Sequence, residues 1–276
     1  MKLVSLIETL SDLPLGGVRY YPCLGSTNDD ALSWCEEGAP DLALVVADEQ
    51  TSGRGRQGRQ WQTFPETALA FSLVMQPPFG PREETLPDQL LTRLNGLGGL
   101  AVSQALSCHY GLQAEIKWPN DVLLERRKAA GVLAEARWQG DNLQAVILGI
   151  GVNVTPEAIY GLPERSFPAT CVEAVLGRHA DRTELLHSIL KHLLDWRPRL
   201  GSNEFLHAWE ERLAWRGEWV EISVDHTRRT PGQVLIMGLN KDGSLRVCDR
   251  VGHMLNLYSG EIQIKPLEAG DDSLHF

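Results

Sequence analysis

The sequence has few cysteines and lacks a long apolar run. Its five cysteines are odd in number and widely scattered, at Cys23, Cys35, Cys108, Cys171 and Cys248. Without a C-x-x-C pair, this pattern indicates neither a disulfide framework nor a structural zinc site. No apolar run approaches the ~20 residues of a membrane span, and the N-terminus lacks a signal peptide's apolar core. We therefore expect a cytoplasmic protein with reduced thiols and no membrane partner.

Basic residues are also scarce: 26 Lys and Arg stand against 36 Asp and Glu, a formal net charge of -10. Nucleic-acid binders usually carry a basic face, so we expect no nucleic-acid partner. Residues 53–61 are a local exception and read Gly-Arg-Gly-Arg-Gln-Gly-Arg-Gln-Trp. Glycine allows close backbone approach to a ligand, and arginine pairs bidentately with phosphate or carboxylate. This density of like charge predicts an anionic ligand. The alternative is a solvated loop, or a basic tract of the kind that binds nucleic acid.

Hydrophobic periodicity predicts alternating helices and strands up to about Arg216. A short helix within 1–15 and a helix capped at 26–28 precede predicted strands at 42–47, 68–75, 114–118, 131–138 and 143–154. Longer helices are predicted at 86–110, 183–196 and 203–215. We interpret the glycines at 96, 98 and 99 as positions of close packing against a sheet.

From residue 217 the pattern changes to five short alternating strands, at 219–224, 233–238, 244–248, 254–258 and 261–265. Strands of this length and spacing are typical of a small barrel. We therefore predict two domains, 1–216 and 217–276.

Four segments carry residues suited to binding and chemistry. In chain order they are Ser26-Thr27-Asn28 with Glu49-Gln50, the Gly-Arg loop 53–61, Lys117-Trp118-Pro119-Asn120-Asp121 with 128–135, and Gly149-Ile150-Gly151-Val152-Asn153. Taken singly each is moderate evidence. In this order and spacing they closely resemble the biotin protein ligases, over residues 19–265.

The resemblance implies an α+β fold in which helices flank a mixed β-sheet. This is the class II aminoacyl-tRNA-synthetase-like fold of biotin and lipoate ligase catalytic domains, followed by a small SH3-like barrel. It also implies a reaction: biotin's carboxylate attacks the α-phosphate of ATP, and biotinyl-5′-AMP then biotinylates a lysine of a biotin carboxyl carrier protein domain. ATP and biotin would be substrates, with Mg²⁺ accompanying the ATP. The resemblance leaves both monomer and homodimer open.

The same resemblance assigns site residues by position. The catalytic residues would be Lys117 and Arg56. Biotin would be bound by Ser26, Thr27, Asn28, Gln50, Gly53, Arg54, Gly55, Arg56, Lys117 and Gly131. ATP would be bound by Arg54, Arg56, Arg59, Trp61, Lys117, Asn120 and Asn153. Metal ligands are not assigned, because Asn120 and Asp121 fit either a turn after Pro119 or a metal site.

Four alternatives stay open at this stage. Ser26-Thr27-Asn28 also fits a plain helix cap, with Thr27 or Asn28 as the capping residue, and Trp61 also fits a core residue. A lipoate ligase would share the fold and the adenylation chemistry, although such enzymes generally lack the triple Gly-Arg loop. A biotin-operon repressor would need a DNA-binding domain before the core. We therefore predict a monofunctional ligase.

Overall fold

The computed structural model describes residues 1, 3–61, 63–79, 87–160, 167–224, 232–258 and 262–266. Two sheets organise this part of the chain. The predicted helix start at Leu86 and the predicted strand start at Glu261 lie outside the described residues.

The larger sheet has seven strands in the order β1-β2-β3-β7-β6-β5-β4. β1 and β2 are parallel and the other neighbours are antiparallel, so the predicted mixed sheet is confirmed. The strands are β1 Gly17–Tyr21, β2 Ala43–Ala47, β3 Ala68–Met75, β4 Ala114–Lys117, β5 Asp121–Leu124, β6 Arg127–Gln139 and β7 Asn142–Asn153.

Helices cover both faces of this sheet because its central strands alternate apolar side chains toward each side. On β2, Leu44 and Val46 belong to the main core, whereas Ala43 and Val45 pack on the other side with Ala31. The helices are α1 Leu3–Thr9, α2 Thr27–Glu36, α3 Pro87–Tyr110, α4 Val172–Leu176, α5 Arg182–Trp196 and α6 Asn203–Glu211. α2 covers the second side, and α3 packs against α5 and β6 on the first. None of the helices in the described ranges has the length and apolar character needed to cross a bilayer.

Two details of the helix predictions are wrong. The predicted helix 203–215 ends at Glu211, because the following residues leave the helix to pair with β4: Ile116 N–H donates to Arg212 O (2.6 Å) and Ala214 N–H to Ile116 O (2.9 Å). At the start of α2, Ser26 occupies the N-cap position with an extended backbone but makes no side-chain capping bond. Thr27 and Asn28 are already helical, and their side chains turn into the protein instead of capping α2.

The smaller sheet has five antiparallel strands in the order β11-β10-β9-β8-β12, in agreement with the predicted C-terminal β unit. They are β8 Trp219–Val224, β9 Gly232–Leu239, β10 Leu245–Asp249, β11 Met254–Leu257 and β12 Ile262–Pro266. Its core is continuous with that of the large sheet. Trp118 Nε1 also donates to Gly243 O (2.9 Å), across the predicted boundary near Arg216. That boundary stays a prediction.

The glycines of α3 lie where the helix approaches its neighbours most closely. A Cβ on Gly96 would lie 2.6 Å from three atoms of the Trp209 indole, and one on Gly98 would lie 2.6 Å from Val132 of β6. At Gly99 the nearest atom, in Ile116 of β4, would be 3.2 Å away. These distances agree with the interpretation of close packing.

We predict that Gly96→Ala lowers the free energy of unfolding by about 1–3 kcal/mol, because the new methyl group overlaps a rigid buried ring. This cost exceeds the gain of about 1 kcal/mol in helix propensity. Gly99→Ala, the control on the same helix, should cost less because its neighbour is a single aliphatic side chain. Denaturant titration measures both, and a Gly96→Ala protein as stable as wild type would contradict the packing argument.

Candidate active site

A pair of glycines on the two central strands makes room for Trp61. Gly131 of β6 and Gly151 of β7 are partners in register. A side chain on Gly151 would overlap the Trp61 indole, and a Cβ on Gly131 would lie 3.4 Å from the same ring and from Lys128. Trp61 Nε1 is buried without a hydrogen-bond partner among the described residues. A buried N–H of this kind is normally satisfied by water or by a ligand.

The Gly-Arg loop that leads to Trp61 forms a small hairpin. Gly55 N–H donates to Arg59 O (2.7 Å), and Trp61 N–H donates to Gly53 O (2.8 Å). A side chain on Gly53 would overlap the Trp61 backbone, so glycine is required for this closure. At the tip, the 3₁₀ turn Arg56–Gly58 places Gln57 at a positive φ of 59°.

The three arginines of the loop have different surroundings. Arg54 pairs with two carboxylates, Glu135 (2.6 and 2.7 Å) and Asp29 (2.8 Å). Arg56 Nη1 donates to Asn120 Oδ1 (3.2 Å). Burial lowers the pKa of Arg56 below its ordinary value; nearby Asp121 opposes the shift and Arg59 adds to it. Of the three, Arg56 is therefore the desolvated cation nearest the Lys-Trp-Pro-Asn-Asp segment.

Two lysines converge on the carboxylate of Asp121 from neighbouring strands. Lys128 Nζ lies 2.6 Å from Asp121 Oδ1 and 5.5 Å from the centre of the Trp61 ring. Lys117 Nζ lies 3.9 Å from Asp121 Oδ2 and 3.8 Å from the centre of the Phe167 ring. Lys128 thus faces the glycine pair, and Lys117 approaches Asp121 from the side of Phe167.

A hydrogen-bonded network links the start of α2 to the segment that follows β2 and to the central sheet. Gln50 Oε1 accepts from Thr27 N (2.8 Å) and Thr27 Oγ1 (3.0 Å). Ser72 Oγ lies 2.8 Å from Thr27 Oγ1 and 2.6 Å from Asn28 Oδ1. Asn28 Nδ2 in turn donates to Glu135 Oε2 (2.6 Å). We call these five residues the α2 network. Its members, with the exception of the half-buried Glu135, are buried.

Gly149 and Asn153, on the same strand as Gly151, also help to shape the site. A side chain on Gly149 would overlap the Asn28 amide, which explains the first glycine of the Gly-Ile-Gly segment. Asn153 Nδ2 donates to Thr170 O (3.1 Å), and Thr170 N–H donates to Lys128 O (2.9 Å). Asn153 therefore supports the backbone that carries Lys128.

The structure brings most of the predicted site residues into two connected groups. Gln50, Thr27 and Asn28 belong to the α2 network, and Ser26 is buried at the N-cap of the same helix. The second group, around the glycine pair and Asp121, contains Gly53, Arg54, Gly55, Arg56, Arg59, Trp61, Lys117, Asn120 and Gly131. Asn153 belongs to neither group and is connected to the backbone of Lys128 through Thr170.

Sequence reasoning did not single out Lys128, Glu135 or Ser72, whose side chains contact predicted site residues or their neighbour Asp121. Gly131 and Glu135 share one face of β6 by the two-residue period, so Glu135 could have been found from its spacing. Lys128 could not, because the β5–β6 pairing shifts by one residue between Ala130 and Lys128. Such a bulge changes the alternation, and brings Lys128 to the face of Gly131.

No group of three or more His, Cys, Asp or Glu side chains that could hold a metal occurs in the ranges that the structure describes. Asp121 is ion-paired with Lys128 and close to Lys117. The site therefore offers an assembly of cations and amides, suited to an anionic ligand.

Comparison with known proteins agrees with this geometry. Residues 20–153 match the model of the biotin/lipoate A/B protein ligase family. A biotin--[acetyl-CoA-carboxylase] ligase of Paracoccus denitrificans is 33% identical over 226 residues, which cover 80% of this chain and 89% of that protein. The bifunctional ligase/repressor BirA of Bacillus subtilis is 29% identical, over 89% of this chain and 73% of that protein.

The solved structures include a biotin protein ligase from Aquifex aeolicus in complex with biotin and ATP. It superposes with a TM-score of 0.72 at 27% identity, covering 91% of this chain and 99% of the other. The likeness thus extends through both sheets. The chain belongs to the biotin/lipoate A/B protein ligase family and, within it, to the biotin protein ligases.

Proposed function

We propose that this enzyme activates biotin with ATP and transfers it to a lysine of a biotin carboxyl carrier protein domain, in acetyl-CoA carboxylase or a related biotin enzyme. One observation carries the proposal: the Gly-Arg loop, Trp61 and Lys128 meet beside the glycine pair, and Lys117 adds a second ammonium near Asp121. That arrangement supplies both a flat surface for a base and fixed positive charge for a phosphate.

The first step joins two anions. A carboxylate oxygen of biotin attacks the α-phosphorus of ATP, a new P–O bond forms, and pyrophosphate leaves with the electrons of the broken bond. Two negative charges at close range in a poorly solvated site repel strongly. Fixed cations offset this repulsion and stabilise charge on the phosphoryl oxygens. Arg56 suits this role because it is desolvated yet keeps its proton, as arginine does in proteins.

The lysine that follows the acyl-phosphate oxygens is assigned by geometry. The family resemblance points to Lys117, whose ammonium lies against Phe167. Lys128 instead lies beside Gly131 and Trp61, where the adenylate would be. We therefore assign Lys128 the direct contact, and Lys117 a supporting positive charge across Asp121.

The remaining residues divide between the two substrates. Trp61 offers its ring for adenine stacking, and its unpartnered Nε1 offers a donor. The α2 network and Ser26 offer amide and hydroxyl groups of the kind that a neutral ureido ring needs. Asn28 already donates to Glu135 and accepts from Ser72, so it links the biotin side of the site to β6 and β3.

In the second step, the carrier lysine attacks the acyl carbon of biotinyl-5′-AMP. A C–N bond forms, the mixed-anhydride C–O bond breaks, the amine loses its proton and AMP leaves. The same cations stabilise the departing phosphate. No nucleophile from the enzyme is required in either step.

Mg²⁺ would arrive with ATP as part of the substrate, since it neutralises the triphosphate. Asn120 and Asp121, which contact Arg56 and Lys128, carry side-chain oxygen atoms of the type that binds such an ion.

The net charge and the free thiols of the enzyme bear on its partners and its compartment. A net charge of -10 does not favour a nucleic-acid partner. Five free cysteines favour a reducing compartment such as the cytoplasm. The proposed chemistry is compatible with a monomer and with a homodimer.

The function is tested by ATP–pyrophosphate exchange with biotin and lipoate offered side by side. We expect exchange that requires biotin, followed by labelling of a carrier domain. Exchange supported by lipoate alone would assign the chain to the lipoate branch of the family. An absence of exchange with either acid would reject the proposal.

We predict that Lys128→Ala lowers biotin-dependent exchange by about 100-fold or more, the usual cost of removing a donor to developing charge. Lys117→Ala should cost clearly less, because its ammonium lies against the Phe167 ring and not beside Gly131 and Trp61. Equal losses would give both lysines the direct role. A larger loss in Lys117→Ala would restore the assignment made from the sequence.

We predict that Arg56→Ala keeps the fold but releases biotinyl-5′-AMP at least tenfold faster, since it removes a charged contact to phosphate. Arg127→Ala is the matched control: its guanidinium pairs with Glu125 at the exposed β5–β6 turn (2.6 Å). Release is followed by chasing labelled adenylate with excess unlabelled biotin and ATP. A wild-type release rate in Arg56→Ala would remove Arg56 from the site.

A further inference from the structure

Glu135 joins two parts of the site through one carboxylate. Its two oxygens accept from both terminal nitrogens of Arg54 in the Gly-Arg loop, at 2.6 and 2.7 Å. The second oxygen also accepts from Asn28 Nδ2 of α2 at 2.6 Å. The carboxylate is carried by β6, a central strand of the large sheet. The loop and the helix are thus fastened to the same point of a rigid element.

Neither step of the proposed reaction uses Glu135 directly. A carboxylate close to a phosphate would repel it, so this residue needs another explanation. The pairing itself suggests one: bidentate, charge-assisted bonds fix the orientation of both partners. Arg54 is paired with Asp29 as well, so two carboxylates compensate one guanidinium. Arg54 therefore contributes little positive charge to a bound phosphate while these contacts hold.

The Gly-Arg loop needs such a fastening. Its glycines at 53, 55 and 58 leave the unfolded loop unusually free, so ordering it costs more conformational entropy than ordering an average segment. The hairpin bonds of Gly53 and Gly55 order the backbone within the loop. The Arg54–Glu135 pair connects this hairpin to the sheet, on the same strand as Gly131.

We propose that Glu135 is a positioning residue that holds the Gly-Arg loop over the site, and so determines how long biotinyl-5′-AMP stays bound. Through Asn28, the same carboxylate couples loop closure to the α2 network on the biotin side. Arg54 is the tether of the loop, and Arg56 is its phosphate contact. This inference rests on the proposed function.

Glu135→Gln is the primary test, because it keeps the size of the side chain and removes the charge. We expect biotinyl-5′-AMP to leave about tenfold faster, because one charge-assisted pair is lost. The KM for biotin should rise by a larger factor than kcat for exchange falls, since the cations that act on the phosphate remain. Arg54→Met should speed release to a similar extent, and the double variant should be no faster than either.

Glu36→Gln is the matched control. Glu36 pairs with Arg137 at 2.8 Å and so links the same two elements, α2 and β6, at the end away from the loop. It should leave both the release rate and the KM for biotin at wild-type values. A general loosening of α2 on β6 would instead affect both variants alike.

The possible results distinguish a positioning role of Glu135 from a direct contact between Arg54 and the adenylate. If Glu135→Gln releases adenylate at the wild-type rate, the inference is overturned, even if its melting temperature falls. If Arg54→Met accelerates release while Glu135→Gln does not, Arg54 contacts the adenylate directly. Should Glu135→Gln not fold, unchanged release in Arg54→Met overturns the inference by itself. Wild-type protein without biotin-dependent exchange would reject the proposed function, a result independent of these comparisons.

Discussion

The convergence of positive charge on Asp121 is the constraint on which the site depends. Lys117, Lys128 and the desolvated Arg56 gather around the Lys-Trp-Pro-Asn-Asp segment of a chain whose net charge is -10. Keeping these charges together in a half-buried site is costly unless an anion compensates them. One carboxylate partly does so, and a bound phosphate would complete the compensation. The arrangement is thus prepared before the substrate arrives, which is what electrostatic stabilisation requires.

The sheet makes room for this arrangement with glycines, which carry no side chain. Gly131 and Gly151 lie side by side on β6 and β7 and leave room for an indole, and Gly149 leaves room for the Asn28 amide. Around these gaps β7 pairs on one side with β3 and on the other with β6, so the ligand-facing groups move little relative to one another. The glycine-rich loop is attached to this sheet through Arg54 and Glu135, which makes that pair the point at which its position is controlled.

Much of this could be predicted from the sequence. Strand β3 and helix α3 were predicted almost to the residue, because long apolar runs bounded by proline or glycine leave few alternatives. The segments around Arg56, Asn120 and Gly131 were expected to meet, and they do. Tertiary pairing decided the rest. Backbone pairing with β4 ended α6 early, and a bulge beside Ala129 turned Lys128 into the site. The link between Glu135 and the loop is a contact at long range, which local patterns do not encode.

The most direct test of the account is a crystal structure of this chain with biotinyl-5′-AMP. We expect the phosphate between Arg56 and Lys128, adenine against the Trp61 ring, and the ureido ring beside the α2 network. The Arg54–Glu135 pair should remain intact over the bound molecule. A phosphate bound away from Arg56 and from both lysines would contradict the account, whatever the kinetics of the variants show.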